Sequence, residues 1–120
     1  MPRLPAQRML LTIVAASALL AGCVPARPPL YHWGNFTDQQ YAYLKGDKGP
    51  EEEILELEKI REQAKASGQA LPPGLQAHLG MLYGVTGRSD LFVANLEAER
   101  QQFPESGPYV DFLLKKKTQQ

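Results

Sequence analysis

The chain has 120 residues, with 13 basic and 13 acidic side chains and a formal net charge of zero. That length allows one modest domain at most. The balanced charge lacks the basic excess of a nucleic-acid binder, and a single cysteine cannot build a disulfide framework.

Arg3 and Arg8 precede an apolar run, Met9 to Leu20, broken only by Thr12 and Ser17. The run is short of the roughly 20 apolar residues a membrane-spanning helix needs. Leu20-Ala21-Gly22-Cys23 follows it. A basic start, a short apolar stretch and small residues before a cysteine make a secretory signal with a lipoprotein processing box. The expected cleavage lies between Gly22 and Cys23. The Cys23 thiol is the expected site of lipidation, by diacylglyceryl thioether and N-acyl chain, and no other cofactor is expected. The competing readings are a plain secretory signal and an uncleaved anchor. One acyl chain holds a protein only marginally and several hold it stably. Val24 stands where lipoproteins retained in the inner membrane tend to carry Asp. The expectation is therefore the outer membrane, with the protein on the periplasmic face.

Residues 1–22 thus read as signal peptide and 23–30 as a lipidated tether, kept extended by Pro25, Pro28 and Pro29. After cleavage 98 residues remain, with 11 basic and 13 acidic side chains. Residues 31–49 form an aromatic segment with a short helix. Tyr31, His32, Trp33, Phe36, Tyr41 and Tyr43 fall here. Thr37-Asp38-Gln39-Gln40 has capping-box form, which places Thr37 at the N-cap, with Gly46 ending the helix.

Residues 50–117 read as a helical domain, and 118–120 as a tail. Pro50 suits the first helical position, and Glu51, Glu52 and Glu53 suit the positive end of the dipole and solvent. Ile54, Leu57, Ile60 and Ala64 make one apolar stripe, with Leu55 off it and Gly68 as the stop. Pro72-Pro73-Gly74 precedes a helix whose Leu75, His78, Leu79 and Leu82 share a face, and Gly84 to Gly87 form a turn. The next helix, about Asp90 to Gln102, carries Phe92, Leu96 and Phe103 on one side and Leu91, Ala94 and Ala98 on the other. An element apolar on two sides is packed between neighbours. Pro104 ends it, and Pro108 opens a last helix ending in Lys115-Lys116-Lys117. That basic run reads as a solvated helix end, or else as a lipid- or peptidoglycan-contacting patch. No strand alternation competes, so the fold class is all-α, built from antiparallel helix hairpins.

Residues 73–106 follow the 34-residue tetratricopeptide pattern at Leu79-Gly80, Tyr83, Gly87, Leu96 and Pro104. Gln76, Phe92 and Glu99 depart from it. The unit reads as one degenerate tetratricopeptide-like hairpin with flanking helices, against an ordinary hairpin of convergent pattern.

Six segments together resemble a family of small bacterial lipoproteins whose domain has no assigned function. They are Tyr31-His32-Trp33-Gly34, Tyr41-Ala42-Tyr43, Pro72-Pro73-Gly74-Leu75, Leu79-Gly80-Met81-Leu82-Tyr83, Phe103-Pro104-Glu105-Ser106 and Asp111-Phe112-Leu113-Leu114. The resemblance implies partnership with other envelope lipoproteins, one of them similar to the curli-secretion channel. It implies no chemistry.

No catalytic residues emerge. Ser67, Ser89 and Ser106 read as helix-end or turn residues, and no serine stands in a nucleophile elbow. His32 and His78 have no metal-ligand spacing, so no metal is expected, and His78 reads as a packed, hydrogen-bonded residue. The chain is expected to be non-enzymatic, with no small-molecule substrate and no nucleic acid. Tyr31, Trp33, Phe36, Tyr41 and Tyr43 are the candidate partner-binding residues, since Trp and Tyr dominate interface hot spots. Packing against the helices is the other reading of the same cluster. The leading functional expectation is an accessory or assembly component of an envelope lipoprotein complex. The alternative is a peptidoglycan- or small-ligand-binding lipoprotein.

Overall fold

The computed structural model describes residues 4–20 and 26–118. Among these residues the regular structure is helical: α1 (Leu4–Leu20), α2 (Phe36–Lys45), α3 (Pro50–Ser67), α4 (Leu75–Val85), α5 (Ser89–Gln102), a 3₁₀ turn (Pro104–Ser106) and α6 (Gly107–Thr118). One isolated parallel bridge joins Tyr31 to Ala70. The chain is all-α, as the periodicities predict.

Helix α1 is apolar and its side chains from Met9 to Val14 lie in the open. Its two hydroxyls fold back onto the helix: Thr12 Oγ1 donates to Arg8 O at 3.0 Å and Ser17 Oγ to Ile13 O at 2.8 Å. No helix among the described residues is long and apolar enough to cross a membrane.

The stops are local and fall where the sequence puts them. Gly46 has φ 85 and Gly68 φ 66, the left-handed conformation, and they end α2 and α3. A residue without a Cβ takes that conformation at little cost, which is why glycine closes so many helices. Pro50 opens α3 at its first turn. The start of α2 differs from the capping-box expectation. The N-cap is Asn35, and Thr37 lies inside the helix, exposed. A turn at Gly34, closed by Phe36 N–H donating to Trp33 O at 3.0 Å, starts the helix early. Phe36 is only 3% exposed. Its burial fixes that start more strongly than a hydroxyl cap would.

Two apolar clusters meet across α4. One gathers Phe36, Ile54, Leu57, Ile60, Leu75, Leu79, Leu82 and Tyr83; the other gathers Ala77, Phe92, Leu96, Val110 and Leu113. α4 is packed between α3 and α5, and α5 in turn between α4 and α6 with the 3₁₀ turn. On α5 the side bearing Leu91 and Ala94 is exposed, and only the Phe92–Leu96 side is buried. Phe92 and Leu96 meet both α4 and α6, which leaves Leu91 and Ala94 facing outward.

α4 and α5 are antiparallel: Gln76 meets Gln102, Ala77 meets Glu99, and Gly84 meets Phe92. The seam closes on two glycines. A Cβ at Gly80 would lie 3.2 Å from both Phe92 O and Asn95 Cβ. A Cβ at Gly84 would lie 2.9 Å from Phe92 Cδ2. Thus the large Phe92 on α5 is matched by a missing side chain on α4. Gly84 is helical, so the turn is narrower than Gly84 to Gly87: α4 ends at Val85, and Gly87, in the left-handed region, turns the chain.

Candidate functional site

The aromatic segment is held down by backbone bonds as well as by rings. Gln69 Nε2 donates to Pro29 O at 2.8 Å, and His32 N–H donates to Ala70 O at 2.8 Å. The His32 ring lies between Gln69 Oε1 (3.3 Å) and Gln63 Oε1 (3.4 Å). Gly34 reaches the α3 surface, where a Cβ would stand 3.3 Å from Ile60 Cγ1.

The five candidate aromatics separate into two groups. Tyr31 is half-buried, with its ring edge-on to Phe103 at 5.8 Å. Tyr43 is half-buried and edge-on to His78 at 5.4 Å. Phe36 is core, so it packs and has almost no surface to offer a partner. Trp33 is 46% exposed and stacks one face on Phe36 at 6.3 Å. Tyr41 is 66% exposed and Leu44 is 74% exposed. The two lie three residues apart, on the same face of α2. The structure therefore leaves Trp33, Tyr41 and Leu44 open beside a segment pinned by Tyr31, Phe36 and Tyr43. Leu44 carried no signal in the sequence beyond its helical spacing from Tyr41. Gly22 and Cys23 lie outside the described residues.

Beneath this segment lie charges that the sequence reading placed in solvent. Glu53 is 0% exposed. It shares a stripe with Leu57, four residues on, and that spacing is the signal that marks it as inward-facing. Its Oε1 stands 3.5 Å from His78 Nε2. Glu53 Oε1, Glu53 Oε2 and His78 Nε2 are buried without hydrogen-bond partners among the described residues. His78 is packed as expected, but without the expected hydrogen bond from this nitrogen. Burial pushes the Glu53 carboxyl above its ordinary value, opposed by the nearby Lys48 charge and reinforced by Glu52 and Glu56. Burial pushes the His78 imidazole below its ordinary value. Both shifts favour the uncharged forms. Lys48 Nζ itself donates to Gln39 Oε1 at 2.7 Å and sits 3.4 Å from Glu52. Among the described residues no three His, Cys, Asp or Glu side chains converge as a metal site would require.

Two further buried polar groups tie the helices together. Glu99, 3% exposed on α5, accepts from Gly74 N–H at 2.7 Å and from Ala77 N–H at 3.2 Å. It supplies the start of α4 with the acceptor that Gly74, lacking a side chain, cannot. This accounts for Glu99, one of the three departures from the tetratricopeptide pattern. Tyr83 Oη donates to Glu58 Oε1 at 2.7 Å, while Arg61 bonds Glu58 and Asn95. Burial, with the hydrogen bond and charge of Glu58, pushes the Tyr83 phenol up to about 12. The network links α3, α4 and α5.

Residues 30–113 match the model of a domain of unknown function, DUF4810. The match covers well over half of the chain, and the chain belongs to that family. No curated protein and no solved structure matches it.

Proposed function

We propose that this chain, as a member of the DUF4810 family, is a lipid-anchored, non-enzymatic component of an envelope complex. Lipid on Cys23 attaches it to the outer membrane, facing the periplasm, after cleavage at Gly22. Trp33, with Tyr41 and Leu44 of α2, docks a neighbouring envelope lipoprotein, and a protein similar to the curli-secretion channel is the first candidate.

The exposure of Trp33 and Tyr41 on an immobilised segment carries this reading. A large ring held in place loses little freedom on binding, which is what makes Trp and Tyr effective anchors. The apolar helix Leu4–Leu20 supports the signal-peptide part. The α4–α5 hairpin, closed at Gly80, supports a tetratricopeptide-like unit that serves as the platform for the aromatic segment.

Detergent-solubilised membranes expressing tagged full-length chain test both parts. Trp33→Ala should remove a co-purifying envelope lipoprotein while helix content stays unchanged. Recovery of the same partner by the variant refutes the docking site. Cys23→Ser should abolish palmitate labelling and leave an unprocessed precursor; labelling that persists refutes the anchor.

A further inference from the structure

Apart from the aromatic segment, the molecule carries a concave surface. A groove of about 280 Å³ opens between α4, α5 and α6, lined by Met81, Gly84, Val85, Phe92, Leu113, Lys116 and Lys117. Its walls are apolar except for the two lysines. Lys117 Nζ lies 4.4 Å over the centre of the Phe92 ring, buried and without a hydrogen-bond acceptor among the described residues. An ammonium has three donors to satisfy and no acceptor of its own. A ring face meets part of that demand, with about 0.5–2 kcal/mol of attraction, and leaves the donors unpaired. Gly84, lacking a Cβ, packs against the Phe92 ring, which lies buried at the base of the groove. Lys116 adds a second positive charge at the exposed rim.

We propose that this groove binds a small amphipathic anion, an aliphatic chain ending in a carboxylate, with the head on Lys117 and the tail along Met81, Val85 and Leu113. Charge complementarity selects the occupant: one buried cation in an apolar channel asks for one negative charge on an apolar body. An open groove of this size takes a medium-length aliphatic chain lengthwise. The ligand is held, not turned over. The site is separate from the Trp33 surface, so either can fail without the other.

The probe is decanoate bearing a terminal photoreactive diazirine, applied to full-length chain in neutral detergent. Peptide mass spectrometry should map the label to residues 81–92 and 113–117. Unlabelled decanoate should compete, and decanol should compete at least about tenfold more weakly. Lys117→Met keeps the stem over Phe92 and should lose labelling by at least about tenfold, with Lys117→Arg restoring it. Val85→Glu, at an exposed wall position, should also lose it without affecting the fold. Labelling concentrated on Leu4–Leu20, equal competition by decanol, or full labelling of Lys117→Met overturns the proposal.

Discussion

The Glu53–His78 couple makes stability depend on pH in a way that can be worked out by counting protons. In the unfolded chain the carboxyl titrates near its ordinary value of 4.5 and the imidazole near 6.5. In the folded protein the carboxyl is raised and the imidazole lowered. Above pH 4.5 the unfolded carboxyl has lost a proton that the folded one still holds, so the Glu53 contribution falls as pH rises, until the raised value is passed. Below pH 6.5 the unfolded imidazole gains a proton that the folded one does not, so the His78 contribution falls as pH drops, until the lowered value is passed. One proton corresponds to about 1.4 kcal/mol per pH unit, against a total on the order of 5–15 kcal/mol for a domain.

Lys48, Glu52 and Glu56 also bear on Glu53, so the measurement is a difference between wild type and Glu53→Gln. Glu53→Gln should gain on wild type as pH rises above the unfolded carboxyl value, with a slope approaching about 1.4 kcal/mol per unit. Urea unfolding followed by circular dichroism from about pH 4 to pH 8 reads the curve. Nitrogen NMR of the imidazole should find His78 titrating below its ordinary 6.5. A pH-independent difference would mean that burial leaves the Glu53 carboxyl unshifted, and a wild type that gains on the variant as pH rises would mean that Glu53 is ionised and paired; in either case the reasoning would fail.

Three other expectations follow from single contacts. Glu99→Ala removes the acceptor for Gly74 and Ala77 N–H. It should cost about 1–3 kcal/mol in urea unfolding, with Glu99→Gln costing less. Gly80→Val pushes side-chain carbons against the fixed Phe92 carbonyl. That should cost about 1–3 kcal/mol, visible as a lower melting temperature. Leu57 is fully buried and Leu55, two residues away, is well exposed. In the same urea assay Leu57→Ala should cost about 2–5 kcal/mol. Leu55→Ala should change stability by no more than about 0.5 kcal/mol.

Local rules made most of the helix boundaries legible in the sequence. Gly46, Pro50, Gly68 and Pro104 act through their own backbone, and the structure uses each as a boundary. The α3 stripe was legible because Ile54, Leu57, Ile60 and Ala64 repeat at helical spacing, and all four are buried. What failed was decided by distant residues. Thr37 lost the cap because Phe36 found a pocket under α3 and α4. The Leu91–Ala94 side of α5 stayed open because α4 and α6 both pack on its Phe92–Leu96 side. Glu53 and Glu99 look like surface carboxylates until another helix is laid over them. The aromatic candidates were legible as a group, but their division was not. Whether Trp33 faces out and Phe36 in depends on where Gly34 turns the chain.

The exchange between Gly84 and Phe92 has a consequence for how the chain tolerates change. The seam fixes a sum of volumes, not the identity of either residue. A bulky side chain at 84 is disruptive alone, and a small one at 92 leaves a hole alone. Introduced together, the two should cost less than their separate penalties combined, so relatives that enlarge one position are expected to shrink the other.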